Sequence, residues 1–183
     1  MTKRVLIHLL AAFLLLTGCG FFGDSEETPE PRPRMPARGV WNDNVFTNEY
    51  LGLQFEMPSD WTASTDLDVR ALSDADIFGT IASSPDSNTS VHILFRRLNV
   101  LILGMNESDY MASVAEQAGV SFEPHGMRRI GRYNWHSYQT VAGGNHYGHY
   151  FINIDNGFVR VISLLYNDQS KSLEELLDMF SPL

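Results

Sequence analysis

The chain has 183 residues, 44% of them hydrophobic, and a formal net charge of −9 at pH 7. This length corresponds to one domain of ordinary size, and the hydrophobic fraction is sufficient for a packed core. The negative charge disfavours binding to nucleic acids, whose phosphates repel an acidic surface. The chain contains one cysteine, which excludes an internal disulfide and a site built from several thiolates.

The N-terminal segment has the form of a bacterial lipoprotein signal. Lys3 and Arg4 precede a nearly unbroken apolar run over residues 5–16. The run is too short for a membrane-spanning helix of about 20 residues, but it suits a signal peptide. It ends in Leu16-Thr17-Gly18-Cys19, which resembles the lipobox cut by the lipoprotein signal peptidase. The resemblance implies that residues 1–18 are removed and that Cys19 is lipidated, which leaves a net charge of −11.

Lipid on Cys19 predicts a membrane-anchored, extracytoplasmic protein, because two acyl chains suffice for stable anchoring. Residues 19–39 are rich in Gly, Ser, Glu and Pro. Such a segment cannot bury enough apolar surface to offset the entropy lost on ordering. We therefore predict a disordered, extended linker over residues 19–39 and a single globular domain over residues 40–183.

The domain is predicted to open with a β-hairpin. Apolar residues alternate with more polar ones over residues 51–57, as expected for a half-buried strand. Residues 48–50 form a predicted turn, so residues 45–47 would pair back onto that strand. Trp61 follows the strand and is expected to pack at the edge of the core.

Two helices and a second hairpin are predicted next. Residues 64–76 have a weak amphipathic pattern, and residues 77–83 and 91–98 are predicted strands joined by a polar loop. Residues 108–118 form a clearer helix with Met111 and Val114 on its apolar face. Either Asn106 or Ser108 would provide its N-cap.

Four strands in sequence follow, over residues 127–132, 134–141, 146–154 and 158–166. The turn Asp155-Asn156-Gly157 contains Asn-Gly, a strong signal for a hairpin between two such runs. The last strand is apolar on both faces except at Arg160 and Ser163, so it should be central in the sheet and covered on both sides.

The chain is predicted to end in a helix. Four apolar residues recur at the spacing of one helical face: Leu173, Leu176, Leu177 and Phe180. Ser170 or Ser172 would begin this helix, and Ser172 with Glu175 fits a capping box. We expect the helix to close over the sheet.

The order of these elements resembles the PsbP-like proteins. Residues 46–61, which read Phe-Thr-Asn-Glu-Tyr-Leu-Gly-Leu-Gln-Phe-Glu-Met-Pro-Ser-Asp-Trp, are similar to the opening of that group, where an aromatic-bearing strand pair leads into a Pro-x-x-Trp corner. The same opening is similar to that of many short bacterial lipoproteins. The resemblance implies an α+β fold, a three-layer α/β/α sandwich with a mostly antiparallel sheet flanked by helices. It also implies an assembly or docking module without a common catalytic set.

Three histidines of the predicted meander, His136, His146 and His149, are candidates for metal binding or acid–base chemistry. His146 and His149 are three residues apart, which places them on opposite faces of a strand. We therefore favour ordinary surface or edge histidines and assign no metal ligand. The chain contains no nucleophile elbow, Walker loop or dinucleotide fingerprint, so we assign no catalytic residue and no cofactor.

Aromatic residues of the meander are the alternative candidates for a site. Tyr133 and Trp135 share one face of their strand, and a neighbouring strand would align them with Tyr147 or His149. Tyr138 and Tyr150 lie in the same two strands. We favour packing in the core beneath a helix. The alternative is an exposed platform for a sugar, peptide or protein, because Tyr and Trp are enriched at binding surfaces.

These features predict a non-enzymatic lipoprotein of the cell envelope. Its domain would bind or support an envelope protein or another envelope component, with the membrane reached through the lipid. The alternative is an extracytoplasmic hydrolase or small-ligand-capture protein that uses the His and Tyr residues of the meander. A cleft joining His136 or His149 to a carboxylate would favour the alternative.

Overall fold

The computed structural model describes residues 36–64, 77–98, 104–141, 146–167 and 171–183. The described residues form strands β1 (Val40–Asn42), β2 (Val45–Asn48), β3 (Leu53–Glu56), β4 (Thr62–Ser64), β5 (Ile77–Ser83), β6 (Ser90–Arg97), β7 (Glu123–Ile130), β8 (Tyr133–Val141), β9 (His146–Asp155), β10 (Phe158–Asn167) and β11 (Phe180–Pro182). The helices are α1 (Glu107–Ala118) and α2 (Leu173–Leu177). Neither helix has the length and hydropathy that crossing a membrane requires.

Some predictions fall outside the described residues. These are the signal segment, the linker up to residue 35, and the helix over residues 64–76 apart from Ser64, which ends β4. At the other end of the linker, Pro36 is buried and the Asn48 side chain donates to the backbone oxygen of Ala37 at 2.9 Å. Contacts with the fold therefore begin a few residues before the predicted boundary at residue 40.

The strands form two antiparallel sheets. One has seven strands in the order β4-β5-β6-β10-β9-β8-β7, and the other has four in the order β1-β2-β3-β11. Helix α1 packs on one face of the large sheet, while the small sheet and α2 pack on its other face. The protein is thus α+β and mostly antiparallel, as predicted. The second outer layer is mainly a sheet, and α2 contributes only five residues to it.

Strand β10 is the centre of the large sheet, as the sequence predicted. It pairs with β6 on one side and β9 on the other, and residues 158–166 are all buried. Its side chains alternate between the hydrophobic cores on the two faces of the large sheet. Ile162 and Leu164 face the small sheet, whereas Val161 and Leu165 face α1. Arg160 interrupts the apolar pattern and is nevertheless only 1% exposed.

Helix α1 agrees with its sequence signals. The side chain of Asn106 accepts a hydrogen bond from the Asp109 backbone at 2.9 Å, which satisfies one of the free amides of the first turn. Gly119 ends the helix in the left-handed conformation with φ 65°. Met111 and Val114 are buried against the large sheet together with Tyr110, which the sequence analysis did not place on the apolar face.

The prediction of the terminal helix is wrong for its last turn. The capping box of Ser172 and Glu175 is present, and Leu176 and Leu177 are buried. The helix ends at Leu177, and Phe180 lies in β11, where it pairs with Phe55 of β3. The chain leaves the helix because β3 offers a sheet edge: the Glu56 amide donates to the Met179 carbonyl at 2.9 Å, and β11 adds to β3 directly after.

The β7–β8 hairpin is also shifted from its predicted position. β7 ends at Ile130, and the turn at Gly131 and Arg132 contacts the turn between β2 and β3. The Arg132 amide donates to the Leu51 carbonyl at 2.8 Å, and a Cβ on Gly131 would lie 2.7 Å from that oxygen. Arg132 therefore lies beyond the strand, whereas the predicted strand ran to residue 132.

Candidate functional site

The five residues of the alternative interpretation, an exposed aromatic platform, do not form one: Tyr133, Trp135, Tyr138, Tyr147 and His149. The strand register places Tyr133, Trp135, Tyr147 and His149 on one face of the sheet, as predicted. That face packs on the small sheet, and Tyr138 lies on the face toward α1. Trp135, Tyr138 and His149 are buried, while Tyr133 and Tyr147 are half-buried. A single exposed platform is excluded because the sheet is covered on both faces at these positions. Most of this set instead belongs to two polar clusters that the sequence analysis did not identify.

The first cluster surrounds the guanidinium of Arg160. It donates to the side-chain oxygen of Asn153, to the hydroxyl of Tyr50 and, at 2.7 Å, to a carboxylate oxygen of Asp155. Its central carbon lies 4.1 Å from the ring centroid of Tyr133 and 4.9 Å from that of Tyr50. A buried cation is therefore held by one carboxylate, two neutral oxygens and two aromatic faces.

This cluster connects elements that are distant in the chain. Tyr50 lies in the turn between β2 and β3, Tyr133 begins β8, and Arg160 is in β10. Burial raises the pKa of Tyr50 above its ordinary value, although the hydrogen bond from Arg160 acts in the opposite direction. The phenol thus stays protonated at neutral pH and accepts from the guanidinium. The contacts between Arg160 and Tyr50 therefore connect the large sheet to the small one.

The second cluster surrounds His149. Its ring stacks on Tyr166 with centroids 5.9 Å apart, and Tyr166 stacks in turn on Tyr147 at 5.7 Å. The ring of His125 meets His149 edge-on at 5.5 Å. His149 is 2% exposed, which corrects its interpretation as a surface or edge histidine.

The surroundings of His149 disfavour a charged imidazole. Burial lowers its pKa to about 4, with repulsion from His125 as the next cause, while the Glu174 carboxylate raises it slightly. Glu174 is itself engaged by Arg128, whose two terminal nitrogens donate to its two oxygens at 2.9 and 2.8 Å. This pair lies at the surface between β7 and α2, so it forms the solvent-facing rim of the cluster.

A third polar contact lies where α1 begins. One carboxylate oxygen of Glu107 accepts from the Ile154 backbone at 3.0 Å, and the other lies 3.9 Å from Nε2 of His136. Tyr138 is hydrogen bonded to Ser108 on the same helical turn, and burial raises the pKa of Tyr138. His136 is 44% exposed in its side chain, so this histidine–carboxylate contact is open to solvent.

A buried serine–histidine contact occurs on the α1 face of β6. Oγ of Ser90 lies 3.1 Å from Nε2 of His92, and both residues are buried. Two residues separated by two positions on a strand share a face, which is what brings them together. In the part of the chain that the structure describes, no three His, Cys, Asp or Glu residues are placed to hold a metal ion together.

Comparison with known proteins gives structural similarity without a matching family. No protein-family profile and no curated protein sequence matches the chain. Among solved structures, the chain is similar to cyanobacterial PsbP (CyanoP) from Synechocystis sp. PCC 6803, with a TM-score of 0.49 and 14% identity over 82% of this chain and 99% of the other. It is also similar to a protein of Bacteroides thetaiotaomicron, with a TM-score of 0.40 and 14% identity over 80% of this chain and 49% of the other.

Proposed function

We propose that this protein is a lipid-anchored, extracytoplasmic lipoprotein that binds or helps assemble another component of the cell envelope and catalyses no reaction. The observation that carries the proposal is Leu16-Thr17-Gly18-Cys19, placed directly after a basic start and an apolar run. The Pro-rich segment that follows would separate the folded domain from the bilayer. An envelope protein is the proposed partner.

We also propose that the domain is a PsbP-like α/β/α sandwich. The support is the similarity of residues 46–61 to the opening of that group and the order of strands and helices along the chain. Helix α1 would form one outer layer. Helix α2 and the predicted helix over residues 65–76 would complete the helical layers.

The anchor is tested by replacing Cys19. Cys19→Ser should abolish incorporation of labelled palmitate and lipoprotein-type cleavage, because serine lacks the thiol that receives the lipid. The variant should therefore leave the membrane fraction or retain its signal segment. Thr17→Ser is the matched control, since it keeps a small residue before Cys19 and should be processed normally. Palmitate labelling that persists in Cys19→Ser would overturn the assignment.

A second candidate is an extracytoplasmic hydrolase or small-ligand-capture protein. The observation that favours it is the solvent-open contact between His136 and Glu107, the histidine–carboxylate arrangement used in acid–base catalysis. If it is correct, His136→Gln and Glu107→Gln should each remove hydrolysis of a panel of simple ester and amide substrates, or ligand-induced NMR shifts at His136. This candidate is eliminated if both variants behave like the parent protein. It is also eliminated if the parent protein shows neither hydrolysis nor ligand-induced shifts.

A further inference from the structure

Strand β7 presents an open edge of the large sheet. It is the last strand in the sheet order and pairs only with β8 among the described residues. Residues 123–129 are all exposed, and Met127 is 62% exposed. An edge strand carries unpaired backbone amides and carbonyls, to which an extended segment of another chain can add.

Part of this edge is protected against such pairing. A bulge lies between Pro124 and Met127, and Gly126 within it has φ 86°. Bulges and prolines interrupt the regular backbone pattern that an added strand needs. From Met127 to Ile130 the strand is regular, pairing in register with β8. Ile130 at its end is buried, and its carbonyl accepts a hydrogen bond from the Trp135 indole at 2.9 Å, so the usable edge is Met127–Arg129.

The charge along this half determines what can pair with it. Arg128 faces the small sheet, where it is already bonded to Glu174. Arg129 is on the opposite face with Met127, opposite Asn134 and His136 of β8. Arg129 is exposed, and within the described residues it has no ionic partner. The free face of the edge is thus cationic with one apolar side chain, although the whole chain is acidic.

We propose that the β7 edge over Met127–Arg129 binds an extended acidic segment of an envelope protein by strand addition. The inference deepens the proposed function by naming the class of partner. Backbone hydrogen bonds would supply affinity, and carboxylates at alternate positions would meet Arg129. Pairing of two copies through this edge is disfavoured, because it would bring Arg128 and Arg129 of each copy close together.

The test uses the purified full-length chain in mild detergent and a short fluorescent peptide in which Glu alternates with Thr. We expect saturable binding by anisotropy, with the largest backbone amide NMR shifts at Met127–Arg129. Binding should weaken as salt is raised, because exposed charges are screened. Arg129→Glu should weaken it roughly fivefold to tenfold, since it turns an attraction into a repulsion.

Three controls separate strand addition from simple charge attraction. Arg97→Glu makes the same change in net charge at the exposed last residue of β6, which three other strands separate from β7, and should leave the affinity within about twofold. A peptide with Lys for Glu, and one N-methylated at alternate amides, should both bind far more weakly. Equal binding by either peptide, an equal effect of Arg97→Glu, shifts centred elsewhere, or no binding would each overturn the proposal. None of these outcomes bears on lipidation of Cys19, which is tested separately.

Discussion

Asp155→Ala is expected to lower the free energy of unfolding by about 3 kcal/mol, a large part of the stability of a domain of this size. The substitution removes the carboxylate that contacts Arg160 at 2.7 Å. The guanidinium, 1% exposed, would then keep only the neutral oxygens of Asn153 and Tyr50 and the two tyrosine rings. A buried charge that loses its counter-ion is costly, because the protein interior solvates it poorly.

The matched variant is Arg160→Met, which removes the cation and leaves an apolar side chain of similar length. Asp155 is 45% exposed and can return to water, so this change should cost less than Asp155→Ala. Combined with Asp155→Ala, Arg160→Met should recover part of the loss, because the double variant has no uncompensated charge. Urea unfolding of the four proteins measures the coupling. Strictly additive losses would show that the two side chains do not stabilise each other.

The Arg160 cluster shows what sequence can and cannot reveal. Arg160 was visible as a charged residue inside an otherwise apolar central strand, which signals a buried ion with partners. Its partners were not visible, because Tyr50 is 110 positions away and reaches it only through the docking of the two sheets. The sequence predicts Asp155 only as part of the turn with Asn156 and Gly157, whereas in the structure it is the last residue of β9.

Local signals predicted the local structure well. The caps of α1, the capping box of α2, the β9–β10 hairpin and the central position of β10 all follow from residue type and spacing. The failures involve tertiary contacts. Phe180 has the right spacing for a helix, but pairing with β3 outweighs the periodicity over a segment this short. Nothing in the strand of His149 indicates its covering by His125 and Tyr166, so the sequence alone favours a surface or edge histidine.

The second large expected effect is a loss of stability on mild acidification that depends on His149. In the unfolded chain a histidine titrates near pH 6.5, whereas burial holds the pKa of His149 in the folded protein at about 4. Above pH 6.5 the imidazole is neutral in both states. As the pH falls from 6.5 to 4, the unfolded chain takes up a proton that the folded protein does not. The free energy of unfolding should therefore fall across this window by an amount on the order of 3 kcal/mol.

His149→Phe isolates this contribution. Phenylalanine can keep the stacking on Tyr166 and cannot be protonated, so the variant should lose less stability between pH 6.5 and 4 than the parent protein. Carboxylates remote from this site contribute equally to both curves, so the difference between the curves belongs to His149 and to Glu174, whose pKa a charged His149 lowers. His125→Gln should raise the pKa of His149 in the folded protein, because it removes the second cause of the lowered pKa. The loss of stability on acidification should then be smaller and end at a higher pH.

Urea unfolding at several pH values gives the curves, and an NMR titration of the His149 ring gives the folded-state pKa directly. Parallel curves for His149→Phe and the parent protein would contradict the prediction, as would a ring that titrates near pH 6.5. In either case the imidazole would be accessible to water in the folded protein. The stack of Tyr147, Tyr166 and His149 would then open at mild acidity, and Arg128 and Glu174 would not shield it from solvent.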